Sequence, residues 1–170
     1  MPEQPRPFTE DDIDSMPVLV RRRIEAMVLG PMIRAFQDEF GEQEANRVAQ
    51  RVIEEIAQDQ GAAFAQKAGG NDIPTYVASK GAWTANNALE IDVLEMDEKR
   101  YDYNVTRCRY AEMYRELGMQ DLGFIFSCGR DFNFPLGYNK NMKLTRTQTI
   151  MQGDSFCNFR YEIEENAGNG

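Results

Sequence analysis

The sequence predicts an α+β fold: N-terminal helices followed by an antiparallel sheet of about four strands, two hairpins with a helical insert between them. Three observations carry that prediction. Apolar residues recur at steps of three and four as far as Asn87, and then switch to strict alternation. The alternating segments come in two pairs, each joined by a polar turn. Between the pairs lies a stretch with helical spacing. The 170 residues suit one domain, large enough to fold without disulfides or a structural metal.

Residues 1–14 read as a flexible arm, acidic and proline-rich, without the apolar run of a signal peptide. Residues 15–164 form the single domain, with a helical part over 15–87 and a strand-rich part over 88–164, and 165–170 is a polar tail. The first helix starts at Asp14 or Ser15 and sets Ile24, Met27, Val28, Met32, Ala35, Phe36 and Phe40 on one stripe, expected to face the core. Gly30-Pro31 predicts a kink or two short helices, and Gly41 closes the segment. A second helix turns Val48, Val52, Ile53, Ile56, Ala57 and Phe64 inward and stops at Gly69-Gly70. Asn71 or Asp72, followed by Pro74, opens a third helix through Trp83. The apolar faces of the first two helices exceed what one small sheet covers, which predicts a homo-oligomer.

Leu89, Ile91 and Val93 alternate with Glu90 and Asp92 in the first strand, and Asp97-Glu98-Lys99-Arg100 makes the turn. The return strand puts Tyr101, Tyr103, Val105 and Arg107 on one side and Asn104, Thr106 and Cys108 on the other. A short helix carries Tyr110, Met113, Tyr114 and Leu117 up to Gly118. Asp121 caps another containing Leu122, Ile125 and Cys128. Leu144 to Met151 and Phe156 to Ile163 complete the last hairpin around Gln152-Gly153-Asp154.

Charge narrows the partners. The net charge of −9 repels a phosphate backbone, and the basic run Arg21-Arg22-Arg23, flanked by acids, reads as a solvated helix face. No nucleic-acid partner is expected. No segment approaches the ~18 apolar residues of a membrane span, so no membrane partner is expected either. A cytoplasmic location follows, with reduced thiols, and the odd count of three cysteines argues against a disulfide framework. The chain has no histidine, which removes Ser-His-Asp and Cys-His catalysis and histidine-bound zinc. Acid–base work falls to Asp, Glu, Cys, Tyr or Lys.

Cys108, Cys128 and Cys157 lack the paired spacing of a zinc ribbon, and the plain reading of each is a small buried hydrophobe. Context adds chemistry. Cys108 follows Arg107 where a strand gives way to a helix, a setting that lowers a thiol pKa. Cys128 and Asp131, three residues apart, share a helix face and can divide nucleophile and proton-transfer roles. Arg146 lies in a threonine-rich strand, either as part of a half-exposed sheet face or as a guanidinium for a substrate carboxylate.

Three motifs in order resemble the L-2-amino-thiazoline-4-carboxylic acid hydrolase family. They are Asn104-Val105-Thr106-Arg107-Cys108-Arg109-Tyr110-Ala111-Glu112-Met113-Tyr114, then Cys128-Gly129-Arg130-Asp131-Phe132. The third is Leu144-Thr145-Arg146-Thr147-Gln148-Thr149-Ile150 with Gly153-Asp154 and Cys157-Asn158-Phe159. The family pattern has an acid where this chain has Asn158. The resemblance implies hydrolytic opening of a cyclic amidine to a carbamoyl-cysteine, among hydrolases of carbon–nitrogen bonds other than peptide bonds. It implies Cys108, Cys128, Asp131 and Cys157 as catalytic residues and Asn104, Arg107, Tyr110, Arg146 and Thr147 as substrate contacts. Asp131 would favour the protonated amidine, Cys108 or Cys128 would add to it, and Arg107 or Arg146 would hold the carboxylate.

That reading needs no cofactor. An alternative places zinc on Cys108, Cys128, Cys157 and Asp131, since the C-terminal half is also distantly similar to small-molecule-binding vinyl-reductase-type domains. A third reading is a non-catalytic module with Tyr101, Tyr103, Phe132, Phe134 and Tyr138 lining an apolar pocket.

Overall fold

Two long helices open the chain in the computed structural model, which describes Thr9, Asp12, Ile13 and residues 15–78 and 80–164. Apart from those first three residues, the predicted arm lies outside the described residues, as does the tail at 165–170. Helix α1 spans Val18–Phe40 and runs without a break through Pro31. The face holding Val18, Ala26, Gly30 and Ile33 is buried, and that packing holds the helix together where proline removes one hydrogen bond. The period was predicted, but not the face. Ile24, Met27, Val28, Met32, Phe36 and Phe40 are 47–64% exposed, because the buried side uses small residues that let α1 approach closely.

Helix α2, Glu42–Ala68, ends as predicted on Gly69 in the left-handed region, φ 70°. Ile53 and Ala57 are buried and Phe64 half-buried, whereas Val48, Val52 and Ile56 are about 40% exposed. The third helix divides into α3, Ile73–Ala78, and α4, Gly81–Thr84. Asp72 caps α3 by accepting from the Thr75 amide at 2.7 Å.

The sheet has four antiparallel strands in the order β1-β2-β4-β3. Strands β1, Leu89–Met96, and β2, Arg100–Cys108, form one hairpin, closed by Asp97 accepting from the Lys99 and Arg100 amides. Strands β3, Met142–Thr145, and β4, Cys157–Ile163, form the second. Strand β3 is shorter than predicted, so Arg146 lies beyond it. The inner face carries Tyr101, Tyr103 and Val105 of β2, Met142 and Leu144 of β3, and Cys157, Phe159 and Tyr161 of β4.

One register irregularity matters for function. Glu90 pairs with Arg107 but Ile91 with Val105, leaving Thr106 as an extra residue. The bulge breaks the alternation after Val105. Arg107 therefore turns outward and Cys108 inward, the reverse of the period-two prediction.

Between the hairpins come α5, Arg109–Glu116, and α6, Gln120–Gly123. A π-turn at Phe124–Cys128 and helix α7, Arg130–Tyr138, follow. Asp121 does not cap this insert; it forms a two-pronged ion pair with Arg34 of α1, both contacts at 2.7 Å. Helices α2 and α7 cross backbone to backbone. A Cβ at Gly61 would overlap the Phe134 carbonyl oxygen, and one at Gly137 the Gln58 carbonyl oxygen. Beside that crossing Gln60 of α2 meets Arg130 at the start of α7.

Candidate functional site

A cavity of about 410 Å³ lies between the inner face of the sheet and the helices, within the usual range for small-molecule sites. Its apolar wall is Val18, Phe64, Trp83, Leu89, Ile91, Val105, Phe134 and Phe159. Its polar groups include all three cysteines, Tyr76, Tyr103, Tyr110, Lys80, Asp131 and Arg146. Among the described lining residues Asp131 is the one carboxylate, against the six cations Arg21, Arg22, Lys67, Lys80, Arg130 and Arg146.

The π-turn sets the position of Cys128 and Asp131. The Gly129 amide reaches back five residues to the Phe124 carbonyl at 2.7 Å, which widens the turn just before α7. Asp131 then falls in the first turn of α7, not at a helix C-terminus. Arg146 leaves the end of β3 and donates to Asp131 Oδ2 at 2.6 Å and to the Cys128 carbonyl at 2.9 Å. Its side chain is 1% exposed, and its guanidinium lies 4.8 Å from the Phe132 ring centre and 4.9 Å from that of Phe159. Burial opposes its charge, but the Asp131 carboxylate more than offsets this, and its pKa is raised. Arg146 is thus committed to positioning Asp131.

The thiols are neutral in this setting. Burial pushes Cys108 up to about 12, although the Ala111 and Tyr110 amides at the start of α5 pull the other way. Burial likewise raises Cys128 well above the ordinary thiol value, with the Asp131 charge adding and Arg146 opposing. Cys157 is raised by burial too, against a hydrogen bond from the Ile150 amide at 3.2 Å. The predicted lowering of the Cys108 pKa by Arg107 does not occur. The bulge sends that guanidinium out to Glu112 at 2.8 Å and Glu90 at 3.5 Å.

Tyr110 and Arg146 of the expected substrate contacts line the cavity; Asn104, Arg107 and Thr147 lie outside it. Asn104 accepts from Arg160 at 3.0 Å on the outer sheet face. Thr147 belongs to the loop after β3, which Asn158 fastens. The Asn158 oxygen accepts from the Thr147 and Gln148 amides at 3.0 Å, and its nitrogen donates to the Thr147 hydroxyl at 2.9 Å. An aspartate would accept the same two amides, so the departure from the family pattern falls on a loop latch. Of the aromatic residues expected around a pocket, Tyr103 and Phe134 line it; Tyr101, Phe132 and Tyr138 pack behind it. Among the described residues no group of three or more Cys, Asp or Glu is arranged to share a metal ion, so the four groups suggested for zinc are not gathered as a ligand set.

No motif or periodicity pointed to Lys80. Its ammonium donates to the Tyr103 hydroxyl at 3.2 Å and lies 4.4 Å from the Tyr76 ring centre and 4.7 Å from that of Tyr161. Burial brings its pKa down to about 8, against the pull of Asp131. Arg22, expected on a solvated helix face, and Gln60, Trp83 and Arg130, given no site role, also line the cavity; no motif joins residues so far apart in the chain.

Solved structures share this fold of a four-stranded antiparallel sheet with a helical layer. The phenol-responsive sensory domain of the transcription activator PoxR, crystallised with phenol, is similar over 92% of each chain, with a TM-score of 0.52 and 11% identity. A trafficking protein particle complex subunit 3 from Naegleria fowleri, covalently bound to palmitic acid, matches 86% of this chain and 96% of its own, with a TM-score of 0.51 and 10% identity. No curated protein matches the sequence significantly. The L-2-amino-thiazoline-4-carboxylic acid hydrolase family matches residues 21–161, and the chain belongs to that family. No helix among the described residues is long and apolar enough to cross a membrane.

Proposed function

We propose that this chain is a hydrolase that opens a small cyclic amidine, such as 2-amino-thiazoline-4-carboxylate, inside the cavity described above. The observation that carries the reading is the place of Asp131. Its charge bears on all three thiols, on Lys80 and on Tyr76, Tyr103, Tyr110 and Tyr161, and it is the one carboxylate among the described lining residues. A protonated amidine is a planar cation with paired N–H donors, which suits a fixed carboxylate.

The raised thiol pKa values fit a nucleophile switched on by its substrate. An amidinium against Asp131 adds a positive charge beside Cys128 and Cys108, offsetting the carboxylate charge that adds to burial in keeping them protonated. The thiol proton passes to Asp131, and the thiolate adds to the ring carbon between nitrogen and sulfur. Collapse of the adduct expels the ring sulfur as a thiol, the better leaving group than the ring nitrogen. Water then releases the enzyme thiol and leaves N-carbamoyl-cysteine. Leaving-group chemistry thus favours carbon–sulfur over carbon–nitrogen cleavage. A thiol that only orders the attacking water fits the same geometry. No cofactor enters this route.

A second reading, a non-catalytic ligand-binding module, is supported by the three protonated thiols and by the phenol and palmitate held by the two structural neighbours. The exposed apolar stripe of α1 supports a homo-oligomer, and three free thiols suit a reducing cytoplasm. The deciding experiment incubates purified protein with 2-amino-thiazoline-4-carboxylate and related cyclic amidines, with bound metal quantified in the same sample. Consumption with release of free thiol is expected. No consumption by metal-free or metal-loaded protein overturns the hydrolase reading.

A further inference from the structure

We infer that Arg21, Arg22 and Arg130 form an anion-recognition end of the cavity, taking the carboxylate of a small, flat organic acid. The inference deepens the proposed function, from which it takes only the placement of the amidine end at Asp131.

The basic run of α1 is not a solvated face. Only Arg23 of the three is exposed, where it pairs with Glu116. Arg22 and Arg130 are 8% and 6% exposed, and both line the cavity together with Arg21. Arg130 stands at the start of α7, where the Gly61–Gly137 crossing brings Gln60 of α2 against it. Gln60 accepts from its guanidinium at 2.5 Å and carries no charge. The neighbouring carboxylate, Asp131, is occupied by Arg146. Arg130 therefore has no ion-pair partner among the described residues. The Arg21 Nε is buried without a hydrogen-bond partner. Glu25 answers the Arg22 charge at 2.6 Å, which leaves the other two guanidiniums without a carboxylate.

A buried guanidinium without a counter-charge is costly, and a second one beside it makes it costlier. Burial and then the Arg22 charge bring the Arg130 pKa down to about 10, against the pull of Glu25 and Asp131, neither of which forms an ion pair with it. A purely structural arginine would be paired or stacked. One held only by a neutral amide, lining a cavity beside another cation, is placed to receive an anion. The setting is also local: the chain carries a net charge of −9, while the described lining residues hold six cations and one carboxylate. The apolar wall of the 410 Å³ cavity favours a compact organic acid over a free inorganic anion.

Trp83 is the only tryptophan and lines the same cavity, so its fluorescence reports occupancy. The full chain is titrated with 2-amino-thiazoline-4-carboxylate against 2-amino-thiazoline, and with benzoate against benzyl alcohol. The wild type should prefer the carboxylate of each pair by about tenfold or more. Arg130→Gln and Arg21→Gln should each cut that preference several-fold, leave the affinity for the carboxylate-free compounds unchanged, and keep the far-ultraviolet circular dichroism of the wild type. Arg130→Lys should restore part of it. Arg21 is half-buried on α1, so its variant remains informative if Arg130→Gln does not fold. No carboxylate preference in the wild type, or the full preference retained in both variants, overturns the inference. The two readings fail separately. Arg130-dependent benzoate binding without thiazoline turnover removes the hydrolase and keeps the anion site; turnover with the same KM in wild type and both variants removes the anion site and keeps the hydrolase.

Discussion

Lys80 gives a prediction whose size and sign both follow from the structure. In the folded chain its amine is protonated only up to about pH 8, against an ordinary value of 10.5, because burial disfavours the ammonium. Between those values the unfolded chain holds the extra proton, so this residue makes stability rise with pH, and its cost is fully present below about pH 8. At about 1.4 kcal/mol per pH unit the whole gap amounts to about 3 kcal/mol. The side chain is only half-buried, and the Tyr103 hydroxyl and the tyrosine ring faces return part of that cost. Lys80→Met should therefore stabilise the protein by about 1–2 kcal/mol near pH 7. Urea unfolding of both proteins at about pH 7 and about pH 9.5, followed by circular dichroism, reads the effect, with the advantage of the variant shrinking at the higher pH. Taking the difference cancels the tyrosines: Tyr76, Tyr103 and Tyr161 have raised pKa values and lose stability as pH rises through 10 in both proteins. An advantage that is independent of pH, or a variant less stable at pH 7, would refute the reasoning.

With its pKa near 12, Cys108 presents about one thiolate in 10⁵ molecules at pH 7, so iodoacetamide should label it very slowly. Adding 2-amino-thiazoline should speed labelling of Cys108 or Cys128, read by peptide mass spectrometry; equal rates with and without it contradict a substrate-triggered thiolate. Gly137→Ala drives a methyl into the Gln58 carbonyl at the α2–α7 crossing and should destabilise by about 3 kcal/mol or more, with loss of the Trp83 ligand signal; a loss under about 1 kcal/mol contradicts that packing. Arg107→Ala removes exposed ion pairs outside the cavity and should leave both the urea midpoint and turnover close to wild type. Asn158→Ala releases two backbone amides and should cost about 1–3 kcal/mol in the same melts, while Asn158→Asp holds close to wild type.

Periodicity made the sheet legible. Tyr101, Tyr103 and Val105 alternate with polar residues, and the second helix ran between two glycine stops that the fold respects. It misjudged the buried face of α1, where Ala26 and Gly30 carry the packing while larger side chains face outward. Small residues leave little trace in a hydrophobic pattern. It misjudged Cys108 and Arg107 because one bulged residue reverses every later position, and nothing local to Thr106 announces a bulge. The gathering of the cysteines with Asp131 and Arg146 was legible through the family motifs. The cation-rich end was not, since it joins Arg21 and Arg22 of α1 to Arg130 of α7, more than a hundred residues away in sequence.

Comparing Asp131→Asn with wild type tests the account most directly. The substitution keeps the size of the side chain and one oxygen for Arg146, and removes the charge proposed to receive both amidinium and thiol proton. With 2-amino-thiazoline-4-carboxylate as substrate, kcat should fall by about a hundredfold or more, while Trp83 fluorescence still reports a bound ligand. A variant that binds and turns over within about threefold of wild type would place the chemistry elsewhere and contradict the account.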